Sequence, residues 1–83
     1  MTSIVEFRMP KFGETMEKGK VVAWKKSVGE KIDKGESIVE IETDKANLDV
    51  ESPVSGIIVE ILIPAGLTEE INTVLARIST TDK

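Results

Sequence analysis

The sequence predicts an all-β domain: a flattened barrel of two four-stranded antiparallel sheets, related by an approximate two-fold axis. Three observations lead there. Hydrophobic residues make up 40 % of the 83-residue chain, many are Val and Ile, and they alternate at period two in short runs bounded by Gly, Pro, Asn and Asp. No window carries helical spacing, since every candidate is broken by glycine or proline or alternates instead. The chain also resembles itself: Gly19 and Gly56 stand 37 apart (56 − 19), and so do Gly29 and Gly66. The same offset pairs Ile4 with Ile41, Ile41 with Ile78, Val22 with Val59, Trp24 with Ile61, Ile38 with Leu75, Glu14 with Glu51 and Gly35 with Asn72. An ungapped repeat of this length implies two similar halves.

Taken in order, Met1 to Ser3 are expected to be loose. Val5, Phe7 and Met9 alternate with Glu6 and Arg8 as a first strand, which Pro10 ends because proline cannot donate to a ladder. Lys11 to Gly19 has two glycines and no periodicity and reads as a loop, from which Phe12 and Met16 are placed to fold back on the barrel. Lys20 to Lys25 is a second strand with Val22 and Trp24 inward. Turns at Ser27–Glu30 and Lys34–Ser37 flank Ile32. Ile38 to Thr43 and Ala46 to Glu51 form a central hairpin, with Val39, Ile41, Leu48 and Val50 facing one side. Ser52 to Gly56 turns the chain into the most hydrophobic strand, Ile57 to Ile63. Pro64-Ala65-Gly66 turns again, and Val74 to Ser79 is the last strand. A single domain over residues 1–79 follows, with 80–83 as a frayed tail or the start of a linker.

Composition excludes several function classes. There is no cysteine and no histidine, so disulfides, thiolate chemistry, the commonest general base and the commonest metal ligand are absent. A net charge of −4 disfavours nucleic acid as a partner. No apolar run approaches membrane length and no basic-then-apolar leader opens the chain. The expectation is an acidic, intracellular, cytoplasmic module. No set of side chains makes a nucleophile–base pair, a metal site or a phosphate loop, so no catalytic residue is assigned.

The chemistry then concentrates on Glu42-Thr43-Asp44-Lys45-Ala46-Asn47. Alternation on both sides of Asp44-Lys45 puts these two residues at a hairpin tip, which is surface because its backbone needs water. A catalytic lysine needs a desolvated pocket or a cationic neighbour. Lys45 has acidic neighbours instead, which suits the substrate of an acylating enzyme.

Residues 8 to 78 closely resemble the lipoyl domains of the acyltransferase (E2) components of 2-oxo acid dehydrogenase complexes. Met9-Pro10-Lys11-Phe12-Gly13-Glu14-Thr15-Met16 looks like that family's opening motif. Gly19, Trp24, Val28-Gly29, Lys34-Gly35, Ile38, Pro53 and Gly56 also match. Glu40-Ile41-Glu42-Thr43-Asp44-Lys45-Ala46 is nearly its lipoylation signature. The resemblance implies a lipoyl- or biotinyl-type barrel and lipoic acid in amide linkage to Lys45. It implies that Glu42, Asp44, Ala46, Gly29 and Gly56 take part in recognition by the lipoate-attaching enzyme, Gly29 and Gly56 by shaping the barrel. It implies that the loop with Phe12, Gly13, Glu14, Thr15 and Met16 helps a decarboxylase partner (E1) recognise the domain. The implied function is a non-catalytic swinging-arm carrier within a dihydrolipoamide acyltransferase. It would accept an acyl group from a thiamine-diphosphate decarboxylase, deliver it to the acyltransferase core for coenzyme A, and be reoxidised by a dihydrolipoyl dehydrogenase (E3). In a eukaryote the implied compartment is the mitochondrial matrix, and the isolated domain is expected to be a monomer.

The chain departs from the family pattern at Glu69, where the repeat of Ile32 calls for an apolar residue, and at Asn72, where it calls for glycine. Two other families share the fold. Biotinyl domains resemble it but carry methionine on both sides of the lysine, where Asp44 and Ala46 stand here. The glycine-cleavage carrier is longer and has helical additions. A structural barrel from a membrane adaptor would not need the Glu-Thr-Asp-Lys-Ala tip.

Overall fold

The computed structural model describes residues 2–81, with side chains from 3 to 80. Eight strands occur in order: β1 (Thr2–Arg8), β2 (Lys18–Trp24), β3 (Lys31–Ile32), β4 (Ser37–Glu42), β5 (Asn47–Glu51), β6 (Gly56–Ile61), β7 (Thr68–Glu70) and β8 (Val74–Thr81). They form two four-stranded sheets, ordered β1-β8-β6-β3 and β5-β4-β2-β7, in which every pair is antiparallel. No described residue is helical. Between the sheets Val21, Ile32, Ile38, Val39, Ile41, Ile58, Leu75, Ala76 and Ile78 are fully buried, with Phe7 and Met9 nearly so. Burying each large aliphatic chain contributes about 1.5–3 kcal/mol. Trp24 closes one side of this core, edge-on to Phe7 with ring centroids 6.5 Å apart, and its indole N–H donates to Ile63 O at 2.9 Å. β3 and β7 complete the two sheets at places where the sequence shows no alternating run. Each is short because it makes few ladder bonds, to β6 and β2 respectively.

The two-fold relation holds in detail. β2, β3 and β4 map onto β6, β7 and β8 at the offset of 37 (56 − 19), which preserves the order of both sheets. The bulge between Val21 and Ala23 recurs between Ile58 and Glu60. Gly29 N–H donates to Ile58 O at 2.6 Å, and Gly66 N–H donates to Val21 O at 2.7 Å. Gly29, Gly66, Gly35 and Asn72 all have positive φ, at 94°, 100°, 90° and 73°. Asn72 therefore fills its glycine's place in the left-handed region that asparagine tolerates.

Two expected equivalences fail. Ile4 does not match Ile41, because β1 maps onto β5 at a larger offset, and Glu14 does not match Glu51, because it lies in a loop that the second half lacks. Met9 N–H donates to Thr73 O as Ser52 N–H does to Glu36 O, both at 2.8 Å, which makes the offset 43 (52 − 9). Pro10 then corresponds to Pro53, and the first half carries six more residues (43 − 37), Lys11 to Met16. The counterpart of Lys45 in the first strand is Thr2 (45 − 43), at the outer end of β1, where it pairs with Thr81.

Bulges also account for a facing error. Val21, not Val22, is the buried valine of β2. An extra residue at Val22 lets both Val21 and Trp24 turn inward, three apart rather than two. The bulge between Ser37 and Val39 likewise turns two successive residues, Ile38 and Val39, into the core.

The terminal strands are longer than expected. Thr2 pairs with Thr81 and Ser3 with Thr80, so these residues lie in the sheet and not in loose ends. Met1, Asp82 and Lys83 fall outside the described residues. The far ends of β4 and β5 sit at this same pole, since Ser37 pairs with Glu51 and nearby Gly56 packs on Ser79. β4 runs from there to Glu42, so the hairpin tip and the outer ends of β1 and β8, Thr2 and Thr81, occupy opposite poles of a body 39 Å long. Between β3 and β4 the Glu36 carboxylate accepts Asp33 N–H at 3.0 Å and pairs with Lys26 at 3.0 Å. Those contacts hold it below the usual glutamate range, the backbone bond being the larger cause. Its contribution to stability is therefore present at neutral pH and lost as pH falls through the lowered value. Replacing it by glutamine is expected to flatten the acid limb of a stability-versus-pH curve, and an unchanged limb would assign acid sensitivity to other carboxylates.

Candidate functional site

β4 and β5 converge on a tip closed by one side chain. Thr43 N–H donates to Ala46 O at 2.8 Å. The Thr43 hydroxyl donates to the same carbonyl at 2.9 Å and accepts the N–H groups of Lys45 at 3.3 Å and Ala46 at 3.2 Å. A single hydroxyl thus accepts two N–H groups of the bend and adds a second bond to a carbonyl that already accepts the Thr43 N–H. Asp44 and Lys45 are left at the apex, both exposed. Among the described residues no acidic side chain forms an ion pair with Lys45; the five ion pairs there involve other residues. Below the tip, Asn47 donates to Glu40 at 3.1 Å, and Glu40 also faces Lys25 at 3.7 Å. These contacts tie the base of the hairpin together and leave its apex free.

The structure separates the expected site residues into three places. Phe12, Gly13, Thr15 and Met16 come together with Asp44, Lys45 and Ala46, and with Thr43 and Leu48, around a cleft of about 220 Å³. Glu14 is exposed on the same loop but does not line the cleft. Glu42 ends β4 on the opposite flank, in a shallower concavity with Lys18, Lys20, Asp44 and Thr68. Gly29 and Gly56 are in neither. Gly29 is a turn glycine with φ 94°, and Gly56 lies at the far pole, where a Cβ would stand 2.2 Å from Ser79 O. Within the loop Met16 packs against the core, whereas Phe12 remains 42 % exposed.

Thr43 and Leu48 were not singled out from the sequence. Leu48 had the parity of a core residue but is only half-buried. The signal for Thr43 is a β-hydroxyl residue at a strand end, two before the apex, where such side chains bond local backbone. Replacing Thr43 by valine preserves shape and removes three hydrogen bonds. The loss is expected to be about 1 kcal/mol, read as faster amide exchange at Lys45 and Ala46 with the remaining ladder protected. Equal exchange in wild type and variant would show that the hydroxyl does not hold the tip.

An exposed lysine at the apex of a braced hairpin, on a two-sheet barrel, defines the cofactor-attachment class of small β-domains. A family model described as "Biotin-requiring enzyme" (Biotin_lipoyl) matches residues 5–78. The solution structure of the lipoyl domain of the 2-oxoglutarate dehydrogenase complex from Azotobacter vinelandii superposes with a TM-score of 0.73. It is 34 % identical, over 89 % of this chain and 94 % of that one. The chain belongs to the biotin- and lipoyl-attachment family, and it is a lipoyl domain of the kind carried by 2-oxo acid dehydrogenase complexes.

Longer relatives share it. The dihydrolipoyllysine-residue acetyltransferase component 5 of the chloroplastic pyruvate dehydrogenase complex of Arabidopsis thaliana is 39 % identical over 95 % of this chain. The dihydrolipoyllysine-residue succinyltransferase component of the 2-oxoglutarate dehydrogenase complex of Staphylococcus saprophyticus is 41 % identical over 86 % of it. The chain spans 17 % of the length of each.

Proposed function

We propose that Lys45 carries lipoic acid in amide linkage. The domain then serves as the mobile carrier of a dihydrolipoamide acyltransferase, between a thiamine-diphosphate decarboxylase, the acyltransferase core and a dihydrolipoyl dehydrogenase. One observation carries this reading: Lys45 stands at an apex whose backbone Thr43 fixes, while its own side chain makes no ion pair among the described residues. Acylation removes the ammonium charge, and here no ion pair is sacrificed. The bound lipoyl group supplies a disulfide that takes up an acyl group with two electrons and gives that acyl group to coenzyme A. The chain's own residues supply presentation. They hold the lysine backbone in one position, extend it from the pole opposite the chain termini and leave both flanks open to a partner. Tethering in a larger assembly then raises the local concentration of the arm at each active site.

Relatives of acetyl- and succinyl-transferring complexes match at 39 % and 41 %, so the proposal is made for their shared chemistry, acyl transfer from a 2-oxo acid. Asp44 and Ala46 beside the lysine, with no flanking methionine, favour lipoate over biotin. Intact mass after incubation with a lipoate ligase, ATP and lipoic acid, beside a biotin ligase control, tests this. A single lipoyl increment is expected, and a biotin increment alone would overturn the reading.

A further inference from the structure

We propose that the cleft between the Lys11–Met16 loop and the hairpin is a resting seat for the arm on Lys45, so that the arm has a docked state on its own domain as well as an extended one. This rests on the assignment of lipoic acid to Lys45. Lys45 itself lines the cleft, so the seat and the attachment point are continuous. The other walls are mainly apolar: the Phe12 ring, the Met16 thioether, Leu48 and Ala46. Of the polar walls, the Thr43 hydroxyl is already occupied by three backbone groups. The Thr15 hydroxyl and the Asp44 carboxylate also line the cleft, so it is the apolar stretch of Phe12, Met16, Leu48 and Ala46 that would receive the arm. The distal arm is methylenes and two sulfurs, with no strong donor or acceptor to satisfy, and sulfur packs favourably against an aromatic edge.

The loop's position in the fold supports a role beyond structure. It is the six-residue departure from the two-fold relation, and the barrel closes at the equivalent place with Pro53, Val54 and Ser55 alone. Its shape is held locally, by Met16 N–H donating to Gly13 O at 3.1 Å and Phe12 N–H approaching Met16 Sδ at 3.3 Å. Phe12 is a large apolar side chain left 42 % exposed beside the lysine, and a docked arm would cover it. The cleft, about 220 Å³, is smaller than the roughly 300–1,000 Å³ usual for independent small-molecule sites. That size suits a single tethered chain. A partner enzyme would then meet the arm as a two-state element and draw it off the seat by offering better contacts.

The test is NMR on the ligase-modified domain, with intact mass checked first. Full modification at Lys45 should give cross-peaks from arm methylene and dithiolane protons to the Phe12 ring, the Met16 methyl and the Leu48 methyls. Phe12→Ser should lose the arm cross-peaks to Leu48 while β4–β5 inter-strand cross-peaks persist, and Phe12→Leu should keep them. Complete modification with shift changes confined to residues 44–46 and no arm cross-peaks would overturn the seat and leave the lysine assignment intact. Arm cross-peaks unchanged in Phe12→Ser would overturn the role given to the loop. Absence of a mass increment at Lys45 would overturn the assignment and the seat with it.

Discussion

Replacing Gly56 by alanine is expected to destabilise the domain by about 3 kcal/mol, the upper end of ordinary overpacking, with a fall in Tm of on the order of 15 °C for a chain this short. The added Cβ would stand 2.2 Å from Ser79 O and 3.0 Å from Ile78 Cγ2. The first of these is backbone in the strand that β6 pairs with, so relief requires parting β6 from β8. Gly29 makes an informative contrast. Nothing lies within 4 Å of its Cβ position, but its φ is +94°, so alanine there costs only backbone strain, about 1 kcal/mol. The same pair of variants separates two meanings of the glycines' expected part in recognition. If they act by shaping the barrel, ligase modification of Gly56→Ala should fall only as the folded fraction falls, and in Gly29→Ala it should be near wild type. Loss of modification in a fully folded Gly29→Ala protein would point to direct contact with the attaching enzyme.

Replacing Lys45 by arginine is expected to abolish lipoyl incorporation with no measurable change in Tm. The guanidinium keeps the charge and stays protonated, so it offers no amine to acylate. An exposed apex with no ion pair among the described residues gives the substitution nothing to break, within about 0.5 kcal/mol. Exchanging positions 44 and 45 (Asp44→Lys with Lys45→Asp) moves the amine by a single residue and keeps composition constant. Incorporation should fall steeply there too, because the Thr43 hydroxyl fixes the backbone at 45 and 46 and so fixes where the amine stands. A full increment on Lys45→Arg would move the acceptor to another lysine, with Lys18 and Lys20 on the β2 flank as the first candidates.

Much of this is legible in the sequence alone. Alternation located β1, β2, β4, β5, β6 and β8, and the glycine spacing disclosed the two halves. The hairpin apex was placed at Asp44-Lys45. Where reading by alternation failed, bulges were the cause. Two-residue periodicity cannot report the extra residue at Val22 or the paired inward residues Ile38 and Val39, because a bulge leaves no compositional mark. β3 and β7 have no strand signal of their own, since two or three residues are too few to show a period. The ungapped repeat misassigns Ile4 because β1 lies before the six extra residues and aligns at its own offset, and Glu14 because it is one of those six and has no counterpart. The neighbourhood of the lysine was the least legible part. Phe12 and Leu48 are 36 residues apart (48 − 12), and only the folded loop brings them to one cleft. The clamp by Thr43 depends on a rotamer that residue type permits but does not dictate.

The pairing of Thr2 with Thr81 also decides how the domain responds to tension. β1 and β8 are antiparallel neighbours whose outer ends lie side by side, so a pull on flanking chain is applied across their ladder and not along it. Hydrogen bonds loaded that way yield one after another rather than together, so this seam is the first to open under such a pull. β4 and β5 belong to the other sheet and bear none of the initial load. Strain arriving through the connecting chain would peel the terminal seam before it disturbed the lysine apex.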